Sequence, residues 1–245
     1  MMAVVPLLVA AAAVALGATL QSAAGFGFSL VAAPLVFAAV GPEEAVWLLT
    51  LLGAEVNLLT LATERRRPQP VFRECAVLLA AAAPGVVAGI AVLKALDVIA
   101  LQVAVSVGVL ATLAARRLAA ERLPRWAGVP AGFAAGALTT STTTAGPPLL
   151  VYLLGRRLPP VRMRDTLPVV FIGLSALGAL ALVATGTTAA LPEGEAIAVL
   201  VPVAAAGHVL GRPLFARLAR SGRFEAVVTG VLLASVLGGL AAAAL

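Results

Sequence analysis

For most of its length the chain runs apolar, without the regular polar positions that would mark one wet face of a helix or strand. Stretches of roughly 20 apolar residues recur, each long enough to cross a ~30 Å hydrocarbon core as a helix. Ten-residue segments of strict alternation, the mark of a membrane barrel, are absent. Charged residues gather in short connections between the runs. The pattern predicts helical crossings over 44–64, 74–94, 97–116, 162–185, 195–212 and 223–245. Two stretches interrupt it. LTTSTTTAGPPLL, Leu138 to Leu150, sets six consecutive hydroxyl residues, Gly146 and two prolines inside an apolar segment. GATLQSAAGFGFSLVAAPLV, Gly17 to Val36, carries a similar break.

Composition makes the class definite. Hydrophobic residues are 62% of the 245, more apolar surface than a soluble domain of this size covers, so the expected fold is an all-α polytopic membrane protein. The N-terminal MMAVVPLLVAAAAVALGATL lacks a basic leader and reads as a retained membrane segment. A single cysteine, Cys75, excludes an intramolecular disulfide and a cysteine-cluster metal site. No metal or cofactor is expected.

Charge sets the topology. Sixteen of the 17 basic residues form four clusters of four arginines: 65, 66, 67 and 73; 116, 117, 122 and 125; 156, 157, 162 and 164; and 212, 217, 220 and 223. The connections Gly41–Glu44, Lys94–Asp97 and Thr185–Glu195 are acidic or nearly neutral. The positive-inside rule places the four clusters in the cytoplasm and the other connections outside, in a multi-pass protein of the cytoplasmic membrane. Evenly spaced clusters without interleaved aromatics exclude nucleic acid as a partner. Residues 126–156 carry an arginine cluster at both ends. They are therefore expected to enter from the cytoplasm and return, each piece of the broken segment being too short to span. The alternative is one proline-kinked helix crossing once.

The two breaks also suggest a duplication. Gly17 and Gly27 recur as Gly136 and Gly146 at an offset of 119, and Pro84, Gly89 and Lys94 recur as Pro202, Gly207 and Arg212 at 118. The halves are 1–120 and 125–245, each with about four helical segments: one broken or re-entrant helix, then three crossings. An odd number of crossings inverts the second half, an architecture common among secondary transporters.

GATLQSAAGFGFSLVAAPL and GFAAGALTTSTTTAGPPLLVYLL resemble the two signature segments of the sulfite exporter TauE/SafE family. APGVVAGIAVLKAL and GHVLGRPLFARL resemble its two glycine-spaced helices. The family's second signature often has more glycine where this chain has threonines. The resemblance covers essentially the whole chain. It implies export or uptake of a small anion, typically sulfite or an organosulfonate, driven by an ion gradient.

The residues support an anion site independently. A half-helix that starts after a break presents unpaired N–H groups and a partial positive charge. Gly25, Gly27 and Gly146 would let an oxyanion approach that backbone. Ser22, Ser29, Thr139, Thr140, Ser141, Thr142, Thr143 and Thr144 can donate hydroxyl hydrogens to it, and Gln21 is a further candidate lining residue. Close packing of helices is the competing role for each of them. Gln102 is an uncharged candidate for bridging helices. Glu55, the one acid well inside a predicted span, is a candidate proton carrier or a hydrogen-bonded structural residue. His208, the only histidine, shares a helix face with Arg212 and is a candidate titrating gate or an interfacial packing residue. The four-residue spacings Gly85/Gly89 and Gly207/Gly211 read as helix-contact faces.

The function expected is secondary transport of a small anion, sulfite or an organosulfonate, coupled to an ion such as H+. The alternatives are an anion channel or a non-transport intramembrane enzyme. One histidine and one acid well inside a span make a thin catalytic set, so enzymatic activity is not expected. No GxxxxGK[ST] motif is present to hydrolyse ATP. The expected partners are the anion, the coupling ion, the bilayer and, as one form of assembly, a homo-oligomer.

Overall fold

The structure, a computed structural model, describes residues 4–24, 26–64, 66–118, 123–187 and 191–220, with Gly230 and Leu237 beyond them. The expected crossing over 223–245 lies outside the described residues. Among those described the chain is α-helical, with no strand. In order come α1 (Val4–Ala24), α2 (Phe28–Val40), α3 (Pro42–Ala62), α4 (Phe72–Ala95), α5 (Val98–Leu118), α6 (Gly128–Ser141), α7 (Gly146–Gly155), α8 (Pro160–Ala184) and α9 (Gly194–Arg220). Five helices, α1, α3, α4, α8 and α9, are long and apolar enough to cross a membrane. Large apolar side chains such as Leu8, Leu58, Val107, Leu180 and Leu210 point outward, as a lipid-facing surface requires.

The two interrupted segments differ. In the second, α6 and α7 have 14 and 10 residues, each too short to span at 1.5 Å per residue. In the first, α1 is a continuous helix of 21 residues and only α2, with 13, is short. The apolar run before Gly17 extends α1 well beyond the length of α6.

Glycine decides which helices touch most closely. Cβ atoms added at Gly85 and Gly89 of α4 would strike the carbonyl oxygens of Phe133 and Ala137 on α6. Those added at Gly132 and Gly136 of α6 would strike the carbonyls of Leu78 and Ala82 on α4. The two backbones are therefore in direct contact along two turns, the close approach that small residues allow in membranes. Gly207 and Gly211 of α9 meet the carbonyls of Ala15 and Thr19 on α1 in the same manner. α8 packs against both α3 and α4, and α3 also against α9. Two buried apolar cores result. One is built mainly from α1, α2 and α3; the other joins α4, α6, α7 and α8 around Leu78, Leu149, Tyr152 and Leu174.

Described arginines from all four clusters, Arg66, Arg125, Arg156, Arg164 and Arg212, make their contacts at one end of the bundle. Arg66 makes a two-pronged pair with Asp165 at the start of α8, both N···O distances being 2.7 Å, and Arg164 lies 3.2 Å from Glu64. That hydrogen bonding raises the Arg66 pKa further, so the pair stays ionised. Arg212 donates to the Thr63 carbonyl at 2.6 Å, and Arg156 to the Leu123 carbonyl at 3.1 Å. Both ends of the second broken segment meet here: Leu123 N–H donates to the Gly155 carbonyl at 2.9 Å. Arg156 and the Tyr152 hydroxyl both reach the buried Glu74 carboxylate at the start of α4. At the opposite end, Lys94 Nζ donates to Thr185 O at 3.2 Å and Trp47 Nε1 to Thr187 O at 2.8 Å.

Candidate functional site

The first break is closed by one amide. Gly27 caps α2 with φ of 112°, a left-handed conformation that L side chains rarely adopt. The Phe28 N–H, first of the α2 helix, donates to Gln21 Oε1 at 3.0 Å. Gln21 Nε2 donates to Asn57 Oδ1 at 2.7 Å, and Asn57 Nδ2 to Gly53 O at 2.7 Å. Gln21 thus returns the chain across the break and ties it to α3. Ser29 and Leu30, next in the first turn of α2, have no intrahelical acceptor for their N–H groups.

The second break distributes its six hydroxyls unevenly. Thr139 and Ser141 donate back to the carbonyls of Ala135 and Ala137, both at 2.7 Å. Thr140 crosses to Val86 O on α4 at 2.7 Å. Thr142 and Thr144 pair with each other at 2.7 Å. Thr143 alone keeps a buried hydroxyl with no partner, on a backbone with φ of 57°. α7 then starts at Gly146, whose N–H is available; the next two residues are prolines and have none.

Both breaks face a single cavity. From the first half it is lined by Gln21, residues 26–30, Leu49, Thr50, Gly53 and Asn57. The second half contributes Thr139, residues 143–146, Phe171, Leu174 and Ser175. The cavity has about 50 Å³ open to the centre of a water molecule. That exceeds the ~10–15 Å³ that a single water needs, so the cavity has room for a small polar guest. Among the described residues none that lines it is ionisable. Thr50, like Thr143, has a buried hydroxyl without a partner.

Of the residues singled out in the sequence, Gln21, Gly27, Ser29, Thr139, Thr143, Thr144 and Gly146 line this cavity. Ser22, Thr140, Ser141 and Thr142 lie outside the lining, and Gly25 is outside the described residues. Thr50, Asn57 and Ser175 join the site without having been singled out for it. They sit on uninterrupted spans, where nothing in a single sequence separates a lining hydroxyl from one bonded to its own helix.

The family model for the sulfite exporter TauE/SafE matches residues 9–238, nearly the whole chain. The chain belongs to that family. TauE/SafE proteins are membrane transporters, and with five apolar spans among its described residues this one is a multi-pass membrane protein. No curated protein and no solved structure matches it.

The two ionisable candidates of this TauE/SafE chain lie outside the cavity lining. Glu55 is half-buried on α3 with Oε2 unpartnered, while Asn57, two residues on, faces the site. His208 is buried on α9, its Nε2 3.0 Å from Thr63 Oγ1 and its Nδ1 without a partner. With Arg212 on the Thr63 carbonyl, the His208 face grips the end of α3. Gln102 on α5 is buried with both amide atoms unpaired, and it too lies outside the lining. Among the described residues no group of three or more His, Cys, Asp or Glu side chains is placed to hold a metal.

Proposed function

We propose that the protein is a secondary transporter that carries a small anion, sulfite or an organosulfonate, across the cytoplasmic membrane from a site between its two breaks. The observation that carries this reading is the convergence of both helix starts and two unpartnered hydroxyls on one small neutral cavity. Buried donors without acceptors and half-helix N-termini are complementary to an oxyanion.

An inverted repeat is part of the proposal. Exchanging α1, α2, α3 and α4 for α6, α7, α8 and α9 turns the α4–α6 contact into α9–α1. It turns α4–α8 into α9–α3, and α6–α8 into α1–α3, while α3–α8 maps onto itself. That reciprocity supports two related halves, 1–120 and 125–245, rocking about the α3–α8 contact. The shared arginine end supports a cytoplasmic placement for all four clusters and a second broken segment that re-enters from the cytoplasm.

A carrier predicts counterflow. Proteoliposomes loaded with unlabelled sulfite should take up labelled sulfite faster than empty ones; equal rates would favour an anion channel. The coupling proton is assigned to Glu55, with His208 as a gate. Glu55→Gln should lower accumulation driven by a pH gradient and leave counterflow largely intact. Loss of folding instead would make Glu55 structural.

A further inference from the structure

We infer that the cavity selects singly charged oxyanions over doubly charged ones of the same size, so that sulfite enters it as bisulfite, carrying its own proton. The inference rests on the reading of this cavity as the anion site. Its basis is a count of charge. α1, α2 and α6 contribute no ionisable side chain to the surroundings. α3 has Glu43, Glu44 and Glu55, α7 has Tyr152, and α8 has Arg162, Arg164 and Asp165; behind them α4 has Arg73, Glu74, Cys75 and Lys94, and α9 has Glu195, His208 and Arg212. None of these lines the cavity, and α5 has no ionisable group among its described side chains. What remains positive is two helix starts, α2 and α7, each equivalent to roughly half an elementary charge. Together they match about one negative charge.

The donors lead to the same limit. Thr50 and Thr143 bring unpartnered hydroxyls, each more than nine-tenths buried. The amides of Ser29, Leu30 and Gly146 and the hydroxyls of Ser29 and Ser175 add further neutral donors, while Phe28 is committed to Gln21 and the two prolines after Gly146 have none. A dianion would bring a second charge into a site whose described lining holds no cation to offset it. A protonated oxyanion also needs one acceptor. Gln21 Oε1 and Asn57 Oδ1 each accept one bond and have a second lone pair left. Bisulfite that crosses releases H+ to water in the more alkaline compartment and leaves sulfite there. That proton travels on the anion itself and is additional to the coupling proton assigned to Glu55.

The test is equilibrium binding to the purified full-length protein at constant ionic strength, with nitrate, chlorate, sulfate, thiosulfate and sulfite as probes. Nitrate and chlorate should bind at least tenfold more tightly than sulfate and thiosulfate. The apparent affinity for total sulfite should fall tenfold per pH unit above the second ionisation of sulfurous acid, while that for nitrate stays constant. Thr50→Val and Thr143→Val should each weaken nitrate at unchanged thermal stability. Sulfate binding as tightly as nitrate, or sulfite affinity that is flat across this pH range, would overturn the monoanion inference and leave the anion site standing. Failure of every anion to bind to folded protein would overturn the transport reading as well.

Discussion

At the scale of single residues, the threonines of the second break divide into those committed to the protein and one that is not. Thr139, Thr140 and Ser141 hold backbone carbonyls, so Thr139→Val should leave anion affinity unchanged. Thr50→Val removes a donor with no other partner. A hydrogen bond to a charged group is worth about 1.5–3 kcal/mol, so affinity should fall roughly tenfold to a hundredfold by calorimetry. Thr143 carries a second burden, a β-branched side chain at φ of 57°, where L residues cost about 1–2 kcal/mol. Thr143→Gly should therefore raise the thermal midpoint while lowering affinity, and a midpoint that falls would show that the hydroxyl has a structural partner. The sequence made the hydroxyl row conspicuous, but the allocation of each hydroxyl depends on which carbonyl lies one turn back or across on α4. Thr60 and Thr50, ten residues apart on one helix, look alike as text. Only the first returns its hydroxyl to its own backbone.

Elements were more legible than residues. Apolar runs long enough to span, ended by arginines or by Gly-Pro, correspond to α3, α4, α5 and α8 to within a few residues, while α9 starts where expected and runs on to Arg220, past the expected end at 212. The breaks were legible because glycine, proline and consecutive hydroxyls have no other reason to interrupt such runs. The glycine spacing pointed to helix contacts, but not to their partners, since partner choice depends on the shape of both faces. α4 and α6 now give that spacing a measurable value. A side chain at Gly89 would meet the Ala137 carbonyl and the Thr140 hydroxyl. Backbone cannot yield cheaply, so Gly89→Leu should cost about 1–3 kcal/mol or more and lower the thermal midpoint of the detergent-solubilised protein. Gly194→Leu, where a Cβ meets nothing within 4 Å, is the control and should be near neutral. Glu74→Ala tests a second contact of α4, with the end of α7. It strands Arg156 and the Tyr152 hydroxyl, and breaking a buried pair of this kind costs about 3–5 kcal/mol.

On the scale of the whole molecule, the positive-inside argument makes a prediction that the packing sharpens. Trp126 and Pro159 flank the second broken segment, are exposed, and belong to the end where Arg66 meets Asp165. In a Cys75→Ala background, Trp126→Cys and Pro159→Cys should both resist an impermeant thiol reagent in intact cells, whereas Asp97→Cys should react. Labelling of Pro159→Cys alone would mean that the segment crosses once. What a linear reading could not supply here is the convergence of the two breaks. Gln21 reaches Asn57 across 36 positions, and no local pattern encodes that distance.

The close contact of α1 with α9 sets the order in which the protein can be assembled. A ribosome delivers α4 before α6, so the carbonyls that receive Gly132 and Gly136 are already in the membrane when the second break emerges. The first break has no such help. The face of α1 that carries Ala15, Thr19 and Ser22 meets its glycine partner only when residues 207–211 have been made. For some 180 residues of synthesis the older of the two breaks stands with one side uncovered. Chains that stop before α9 thus present an incompletely backed polar break to lipid and to the cell's membrane proteases, whereas chains that stop after α7 already hold the younger break closed.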